Sequence, residues 1–453
     1  MTKRLFITTY GCQMNVYDSE RLAEQMRLSG WSLTLKPEEA DFIFVNTCSI
    51  REKAAQRVIG YLNRLRSYKF KNPSLILGVG GCVAEQEGHE LLRRAPWLSL
   101  VAGPGRLAEI PSLIETLTAQ SPPVVVSGRA NNSDNKPLPL FSPRLPLKDD
   151  CLEQTKPDRS ALTPFLTIMT GCNNYCAYCV VPYLRGPETS RPFFDIIEEA
   201  KILLNRGAKE ITLLGQNVNS YHYNHNGENL NFVSLLKQIG HLPSLRRLRF
   251  TTSHPKDFPS QLVNLFHSLP TLCEHLHLPL QSGSDNILKA MGRGYDRASY
   301  TELVDRLRQK QPNLALSTDI IVGFPGETED DYLQTMETLR QVEFDFIFSF
   351  KYSDRPMTKA NFMEGKIEEG EKARRLNLLQ ALQKEITLRK HHGLIGRKIE
   401  VLVEGPARNP GQLTSKSRDF KRINFYGPSE LIGSIVTLIV TEAWPVSLMG
   451  RLS

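Results

Sequence analysis

No apolar run in this 453-residue chain approaches the roughly 18 residues that span a bilayer, so no transmembrane helix is expected. The opening residues, MTKRLFITTYGCQMN, turn polar before any long apolar core, so no secretory leader is expected and the cytosol is the expected compartment. Long internal repeats and low-complexity tails are lacking too. Charge of one sign is only slightly in excess: 56 Lys and Arg against 48 Asp and Glu leave +8. That balance favours a polyanion such as nucleic acid only weakly, since a mildly basic enzyme for small phosphates has the same composition. With 40% hydrophobic and 23% charged residues, the chain is neither disordered nor a small disulfide scaffold. Its length suits about three domains. There are only eight cysteines: Cys12, Cys48, Cys82, Cys151, Cys172, Cys176, Cys179 and Cys273. A reducing cytosol disfavours disulfides, so clustered cysteines there point to metal or catalysis.

Strand-like and helix-like stretches alternate at the start. Residues 4–9, 41–47 and 75–79 read as strands, with helices over 19–28 and 50–65, which predicts an open parallel sheet of βαβ units over residues 1–118. Seven prolines and the run ANNSDNK interrupt the pattern, so residues 119–157 are expected to be a linker or an extended crossing segment. Six further strand candidates follow at 165–169, 210–214, 245–251, 275–280, 315–322 and 344–352, with helices between them. They suggest an incomplete (β/α)6 barrel over 158–388 that works at the carboxyl ends of its strands, although periodicity alone does not separate it from a second open sheet. An amphipathic helix is expected over 371–390. Residues 398–404, 422–426 and 434–442 are β-branched and alternating, so 389–453 reads as a small all-β domain.

The run Gly171-Cys172-Asn173-Asn174-Tyr175-Cys176-Ala177-Tyr178-Cys179 follows the first barrel strand with the spacing C-x3-C-x2-C. Three thiolates on one tight loop leave a coordination position open. A structural zinc would want a fourth Cys or His nearby, and the next histidine is His222. A [4Fe–4S] cluster suits the spacing, three irons taking cysteine and the fourth an exogenous ligand. The competing reading is three buried or zinc-binding cysteines. Cys12, Cys48 and Cys82 each sit just past a candidate strand and before a candidate helix. Such positions converge on the carboxyl edge of a parallel sheet, and helix N-termini favour thiolates. A second open cluster is the functional reading, and small residues at tight turns the bland one. Cys151 and Cys273 have no such placement and read as structural.

The C-x3-C-x2-C loop after a first barrel strand resembles that of radical S-adenosylmethionine (SAM) enzymes. The flanking segments 10–20 (YGCQMNVYDSE), 46–53 (NTCSIREK), 78–86 (GVGGCVAEQ), 180–186 (VVPYLRG) and 213–219 (LLGQNVN) are similar to the methylthiotransferase family, along nearly the whole chain. The C-terminal domain resembles an RNA-binding TRAM domain. The resemblance implies that Cys12, Cys48 and Cys82 bind an auxiliary [4Fe–4S] cluster and that Cys172, Cys176 and Cys179 bind the SAM-cleaving one. One SAM methylates a sulfur at the auxiliary cluster. A second supplies a 5′-deoxyadenosyl radical that takes hydrogen from C2 of a prenylated adenosine beside the tRNA anticodon. The implied partners are the tRNA anticodon stem-loop and an electron donor such as flavodoxin or ferredoxin, with no membrane and a monomeric chain.

Other residues follow from the resemblance. Gly215, Gln216 and Asn217 are expected at the SAM methionine group. Gly323 and Glu327, within GFPGE, are expected near its adenine. Ser282 and Gly283, in QSGS, are expected near the nucleoside. Each could equally be an ordinary tight turn. Tyr183 and Arg185 could meet substrate, or Arg185 could form an ion pair. His275 and His277 alternate on one strand and read as packing or pocket polarity. Residues 391–453 carry eight basic against five acidic side chains, and residues 416–422 (KSRDFKR) interleave basic residues with Phe420, as RNA contact would want. The competing reading there is a solvated loop. Residues 352–359 (YSDRPMTK) depart from the usual YS-x-RPGTPA at Met357 and Lys359, which puts that loop's geometry in question. Two relatives within the family modify threonylcarbamoyl-adenosine or a ribosomal-protein aspartate; CQMN, NTCSIREK and the basic β domain favour the tRNA branch. A different class altogether is a non-catalytic, RNA-binding iron–sulfur redox sensor, which would not need the glycine-rich strand ends of a SAM pocket.

Overall fold

The structure, a computed structural model, describes residues 2–49, 52–118, 120–128 and 159–453. Cys151 and most of the expected linker lie outside the described residues. Among the described residues the chain divides into two compact units. The first takes residues 2–128 with 170–173 and 180–189, and the second takes 159–169, 174–179 and 190–453. No described helix is long and apolar enough to cross a membrane.

The first unit is built on a six-stranded parallel sheet in the order Ser32–Leu33, Arg4–Tyr10, Phe42–Thr47, Ile76–Gly81, Leu100–Ala102, Val124–Val126. The two central strands are buried along their whole length. Alternate residues feed two cores: Ile43, Val45, Leu77 and Val79 pack on one face, Phe42, Phe44 and Ile76 on the other. A parallel sheet covered by helices on both faces requires this near-continuous apolar text. Gly80 makes room for the second face, because a Cβ there would lie 2.2 Å from the Phe44 ring. Three of the six strands were not expected, each being only two or three residues long. One corrects a boundary: Val124–Val126 pairs with Leu100–Ala102, so the sheet continues past residue 118 into the segment read as linker.

In the second unit, six parallel strands form two triplets. Glu210–Leu214 lies between Phe165–Thr167 and Arg247–Phe250, and Ala315–Val322 lies between His275–His277 and Phe346–Lys351. A single parallel bridge, Leu248 to Leu272, joins the triplets into one arc. All six strand candidates are therefore present, and the large core they share with their helices is the interior of an open barrel. Helix Glu369–His392 closes the segment. The last residues form a closed five-stranded barrel of Lys398–Pro406, Gln412–Ser417, Arg422–Tyr426, Leu448–Leu452 and Ile435–Ala443.

That small barrel is joined to the larger one through the KSRDFKR segment, and here the RNA-contact expectation for the segment is corrected. Apart from the exposed Arg422, its residues turn inward. Arg249 donates to the carbonyls of Ser417 (2.8 Å) and Arg418 (2.7 Å), and Arg247 to that of Lys416 (2.7 Å). Arg418 grips Glu274, Lys416 pairs with Glu404 at 2.8 Å, and Lys421 bonds Asp419 and reaches Asp345. Phe420, at φ +70°, stacks on His275 with centroids 4.5 Å apart and on Phe346 at 5.7 Å. The guanidinium of Arg249 and the ammonium of Lys416 lie over the same ring. Thus His275 is a packing residue, and the β domain shares a unit with the barrel. Phe420→Ala should lower unfolding free energy by about 2 kcal/mol, less than a fully buried Phe would, because this ring is only part-buried. Urea denaturation checks this, and an unchanged midpoint would remove the ring from the joint.

Candidate functional site

Register gathers the first three cysteines. Tyr10 pairs with Thr47 and Thr47 with Gly81, so three strands end side by side. Cys12, Cys48 and Cys82 follow directly. Cys12 is the N-cap of helix Gln13–Leu28, and Cys82 is the first residue of helix Cys82–Glu87. Two asparagines lock the edge. Asn15 Oδ1 accepts from the Cys12 thiol (3.2 Å) and amide (3.3 Å), while its Nδ2 donates to Asn46 Oδ1 (3.1 Å) and to the Thr47 carbonyl (3.0 Å). Asn46 Nδ2 donates back to the Asn15 carbonyl at 2.9 Å and to Ser19 Oγ at 3.0 Å. The Thr47 hydroxyl bonds the Gly80 carbonyl at 2.6 Å. Gly81 turns at φ +91°, where a Cβ would lie 2.2 Å from the Thr47 carbonyl oxygen, so no other residue fits.

The thiols meet. Cys48 hydrogen-bonds both Cys12 and Cys82, and keeps its own proton far above the usual thiol range. The bond from Cys48 draws Cys12 down to about 6 against the opposing effect of burial, with help from Arg185. Cys82 is drawn down to about 7 by Cys48 and, again against burial, by Arg185. Arg185, offered as a substrate contact or an ion pair, forms the ion pair: its guanidinium lies 2.9 Å from Asp18, and both side chains are buried. None of the seven described cysteines is disulfide-bonded. Among the described residues no group of three or more His, Cys, Asp and Glu side chains has the arrangement to hold a single metal ion. A soft donor set of three adjoining thiols, two of them near thiolate at neutral pH and one guanidinium beside them, fits an iron–sulfur cluster.

The second trio is on the loop after strand Phe165–Thr167. Gly171, at φ +79°, starts the loop where a Cβ would lie 2.1 Å from the Pro187 carbonyl oxygen. The Cys172 amide donates to the Gly186 carbonyl (3.1 Å) and that of Cys179 to the Cys176 carbonyl (2.9 Å). Ala177, between them, donates to the Met291 carbonyl and accepts from the Ala360 amide, both at 2.8 Å. The Cys176 sulfur accepts from Arg293 Nη1 at 3.4 Å.

At the carboxyl ends of the barrel strands, buried polar atoms collect. Asn217 donates to Asp257 at 2.7 Å, but its Oδ1 has no hydrogen-bond partner. The same holds for Asn219 Oδ1, Ser253 Oγ, His254 Nε2 and Gln281 Oε1, all less than a tenth exposed. Burial, with the charges of Arg293 and Lys256 nearby, pushes the His254 imidazole down to about 2, so the ring is neutral. Each orphaned polar atom costs about 1–3 kcal/mol when nothing bonds it, so five on one face fit a polar ligand such as SAM. Gly215 and Gln216 lie beside Asn217 at this edge, and a Cβ on Gly215 would come 2.6 Å from the Met169 side chain.

Two expected ligands are instead spent on the fold. Ser282 is fully buried, facing Thr335 Oγ1 at 3.3 Å, and Gly283 is pressed against the same helix, Glu329–Val342. Glu327 accepts from the Gly323 amide at 2.6 Å and pairs with Arg375 at 2.7 Å, so it holds the turn in which Gly323 takes φ +72°. His277 meets Ser317 and lies 3.5 Å from Asp319, in the role of pocket polarity. Met357 takes φ +72° where the usual pattern has glycine, so this loop keeps a left-handed turn with a side chain on it. Sequence reading missed Asn15, Asn46, Asp18, Ser253, His254, Gln281 and Arg293. The asparagines and Asp18 stand within the quoted motifs, and Arg293 stands between two glycines.

Residues 4–103 match the model of the uncharacterized protein family UPF0004, and residues 166–339 match that of the radical SAM superfamily. A radical SAM methyltransferase from Kitasatospora setae, solved with cobalamin and a [4Fe-4S] cluster, shares the fold at TM-score 0.54 and 13% identity, over 91% of this chain and 77% of that one. A cobalamin-dependent SAM radical enzyme shares it at TM-score 0.51 and 13% identity, over 84% and 56%. The open barrel is thus that of radical SAM proteins. The tRNA-2-methylthio-N(6)-dimethylallyladenosine synthase of Syntrophus aciditrophicus is 43% identical over 99% of this chain and 94% of its own. That of Geobacter metallireducens is 45% identical over 100% and 98%. That of Bordetella pertussis is 44% identical over 99% and 98%. The chain belongs to this family of synthases.

In metal-free protein, alkylation of the part-exposed Cys12 by iodoacetamide should titrate near pH 6, about where its lowered value lies. Arg185→Gln removes a positive charge that favours the thiolate, so the midpoint should move up. An unmoved midpoint would show that Arg185 does not act on the trio.

Proposed function

We propose that this protein is a tRNA methylthiotransferase that places a methylthio group on C2 of N6-dimethylallyladenosine beside the anticodon, using two [4Fe–4S] clusters and two SAM per product. The observation that carries the reading is the full-length identity with synthases of that name, in a chain with a thiol trio on its open sheet and a C-x3-C-x2-C loop at its barrel. Cys12, Cys48 and Cys82 would hold the auxiliary cluster, and Cys172, Cys176 and Cys179 the SAM-cleaving one. The clusters supply the one-electron cleavage of SAM and the site from which sulfur is delivered.

The chain's own residues bind and orient. Asn15, Asn46 and Gly81 fix the three thiols at one edge. The orphaned atoms of Asn217, Asn219, Ser253, His254 and Gln281, with Gly215 and Gln216, are the groups that would hold SAM. Glu327 and Arg375 set the Gly323 turn. The neutral imidazole of His254, whose Nδ1 accepts from the Lys256 amide, carries its proton on Nε2 and can donate a hydrogen bond there, with no charge to repel a cationic sulfonium. The β domain still exposes Arg397, Lys398, Arg408, Arg422 and Arg451 with Tyr426, a set suited to phosphate contact and base stacking on the anticodon stem-loop. We assign the open sheet, the barrel and the β domain as the auxiliary-cluster, radical and RNA-binding domains. The protein acts in the cytoplasm as a monomer and draws electrons from a flavodoxin- or ferredoxin-like donor.

Nucleoside analysis of tRNA from cells lacking this protein should show the unmodified prenyl-adenosine. Persistence of the methylthio group there, with a ribosomal-protein modification missing instead, would select the protein-modifying branch. Cys176→Ala should abolish SAM cleavage and leave tRNA binding intact. Cys48→Ala should cleave SAM yet insert no sulfur, and normal product from it would remove the auxiliary site from the reaction.

A further inference from the structure

Among the described residues, the buried arginines follow a rule with one exception. Arg21 pairs with Glu24, Arg191 with Glu199, Arg247 with Glu400, Arg249 with Glu210 and Arg375 with Glu327. Arg293 is as buried as they are, at 4% exposure, yet among the described residues no carboxylate pairs with it. Its Nε donates to the Tyr295 hydroxyl at 2.9 Å and its Nη2 to the Pro279 carbonyl at 2.9 Å. Its Nη1 is shared between the Tyr178 hydroxyl at 3.3 Å and the Cys176 sulfur at 3.4 Å. A buried cation without a counter-charge is strongly disfavoured, so the anion that justifies this one must lie among these partners. Phenols and a carbonyl are neutral, and His254 nearby is neutral. The Cys176 sulfur is the group that becomes anionic when it ligates metal.

We propose that Arg293 is a positioning residue for the cluster read at the Cys172, Cys176 and Cys179 loop, acting through the Cys176 sulfur to raise that cluster's reduction potential. The inference rests on the reading above that this loop holds a [4Fe–4S] cluster. One electron enters from a low-potential one-electron donor, and no atom leaves. The added negative charge spreads onto the ligand sulfurs, and an N–H donor and positive charge at one of them stabilise the reduced state more than the oxidised one. The backbone serves the same end. Glycines at 292 and 294, both at positive φ, flank Arg293, and the Ala177 amide bonds the Met291 carbonyl at 2.8 Å, so the backbone leading into Arg293 is tied to the cysteine loop.

The test uses the full chain carrying Cys12→Ala, Cys48→Ala and Cys82→Ala, so that only the loop can ligate iron. It is reconstituted anaerobically, and the midpoint potential is read by a mediated titration followed by electron paramagnetic resonance. Arg293→Met should lower the potential, and Arg293→Lys, which keeps the charge but not the forked donor, should fall between. Tyr178→Phe leaves Nη1 to the sulfur alone and should raise it. A merely structural Arg293 would move none of these in protein with four irons per chain. An unchanged potential in Arg293→Met, or a lowered one in Tyr178→Phe, overturns the proposal. If the methionine variant does not fold, the lysine and phenylalanine variants decide it by the same signs. A background protein that takes up no four-iron cluster overturns both this inference and the reading beneath it.

Discussion

Parallel strands paired in register must also end in register, and the thiol edge of the first unit depends on that constraint. Cys12, Cys48 and Cys82 are 36 and 34 residues apart in sequence, yet Tyr10, Thr47 and Gly81 are cross-strand partners, so the residues after them share one edge. The ladder brings the sulfurs near one another, and short polar side chains finish the placement. Asn15 and Asn46 bond each other and the backbone across strand ends that would otherwise be unpaired. Gly81 provides the one turn that a side chain would block. The strings CQMN, NTC and GGC are therefore each a cysteine with its own clamp. A substitution in the clamp acts on the thiol's position without touching the thiol.

What was legible in the sequence was whatever periodicity or spacing encodes. Buried central strands, six barrel strands and the cysteine trios all repeat on scales that a reader can count. Strands of two or three residues were lost because so short a run carries no period; the longer Ile76–Gly81 offers an edge to Leu100–Ala102, which in turn offers one to Val124–Val126. In the β domain, Gln412–Ser417 reads QLTSKS, with only one large apolar residue, and becomes a strand through its neighbours on both sides.

The KSRDFKR segment was the more instructive miss. Basic and aromatic residues interleaved on a turn suit RNA, but the same composition suits a joint between two barrels whose facing surface is acidic and aromatic. Glu274, Glu210 and Asp345 supply the carboxylates, and His275 and Phe346 the rings. One-dimensional text shows what a segment can bind and not which surface reaches it first. Pairs at this joint such as Arg418 with Glu274, and Arg249 with the Arg418 carbonyl, cross more than 140 residues of sequence, a separation at which local pattern carries no signal.

The two thiol trios offer similar ligands but differ in counter-charge. Arg185 reaches its trio paired with Asp18, which offsets part of the charge it brings to that site. Arg293 reaches Cys176 with its charge uncompensated by any described carboxylate. Two sites with the same donor set and an unequal neighbouring charge are unequal in their affinity for an electron, the more positive one being easier to reduce. Under the two-cluster reading proposed above, reducing one centre while keeping the other as a place for sulfur would draw on that inequality. It is carried here by an aspartate present beside one arginine and lacking beside the other, which no count of cysteines discloses.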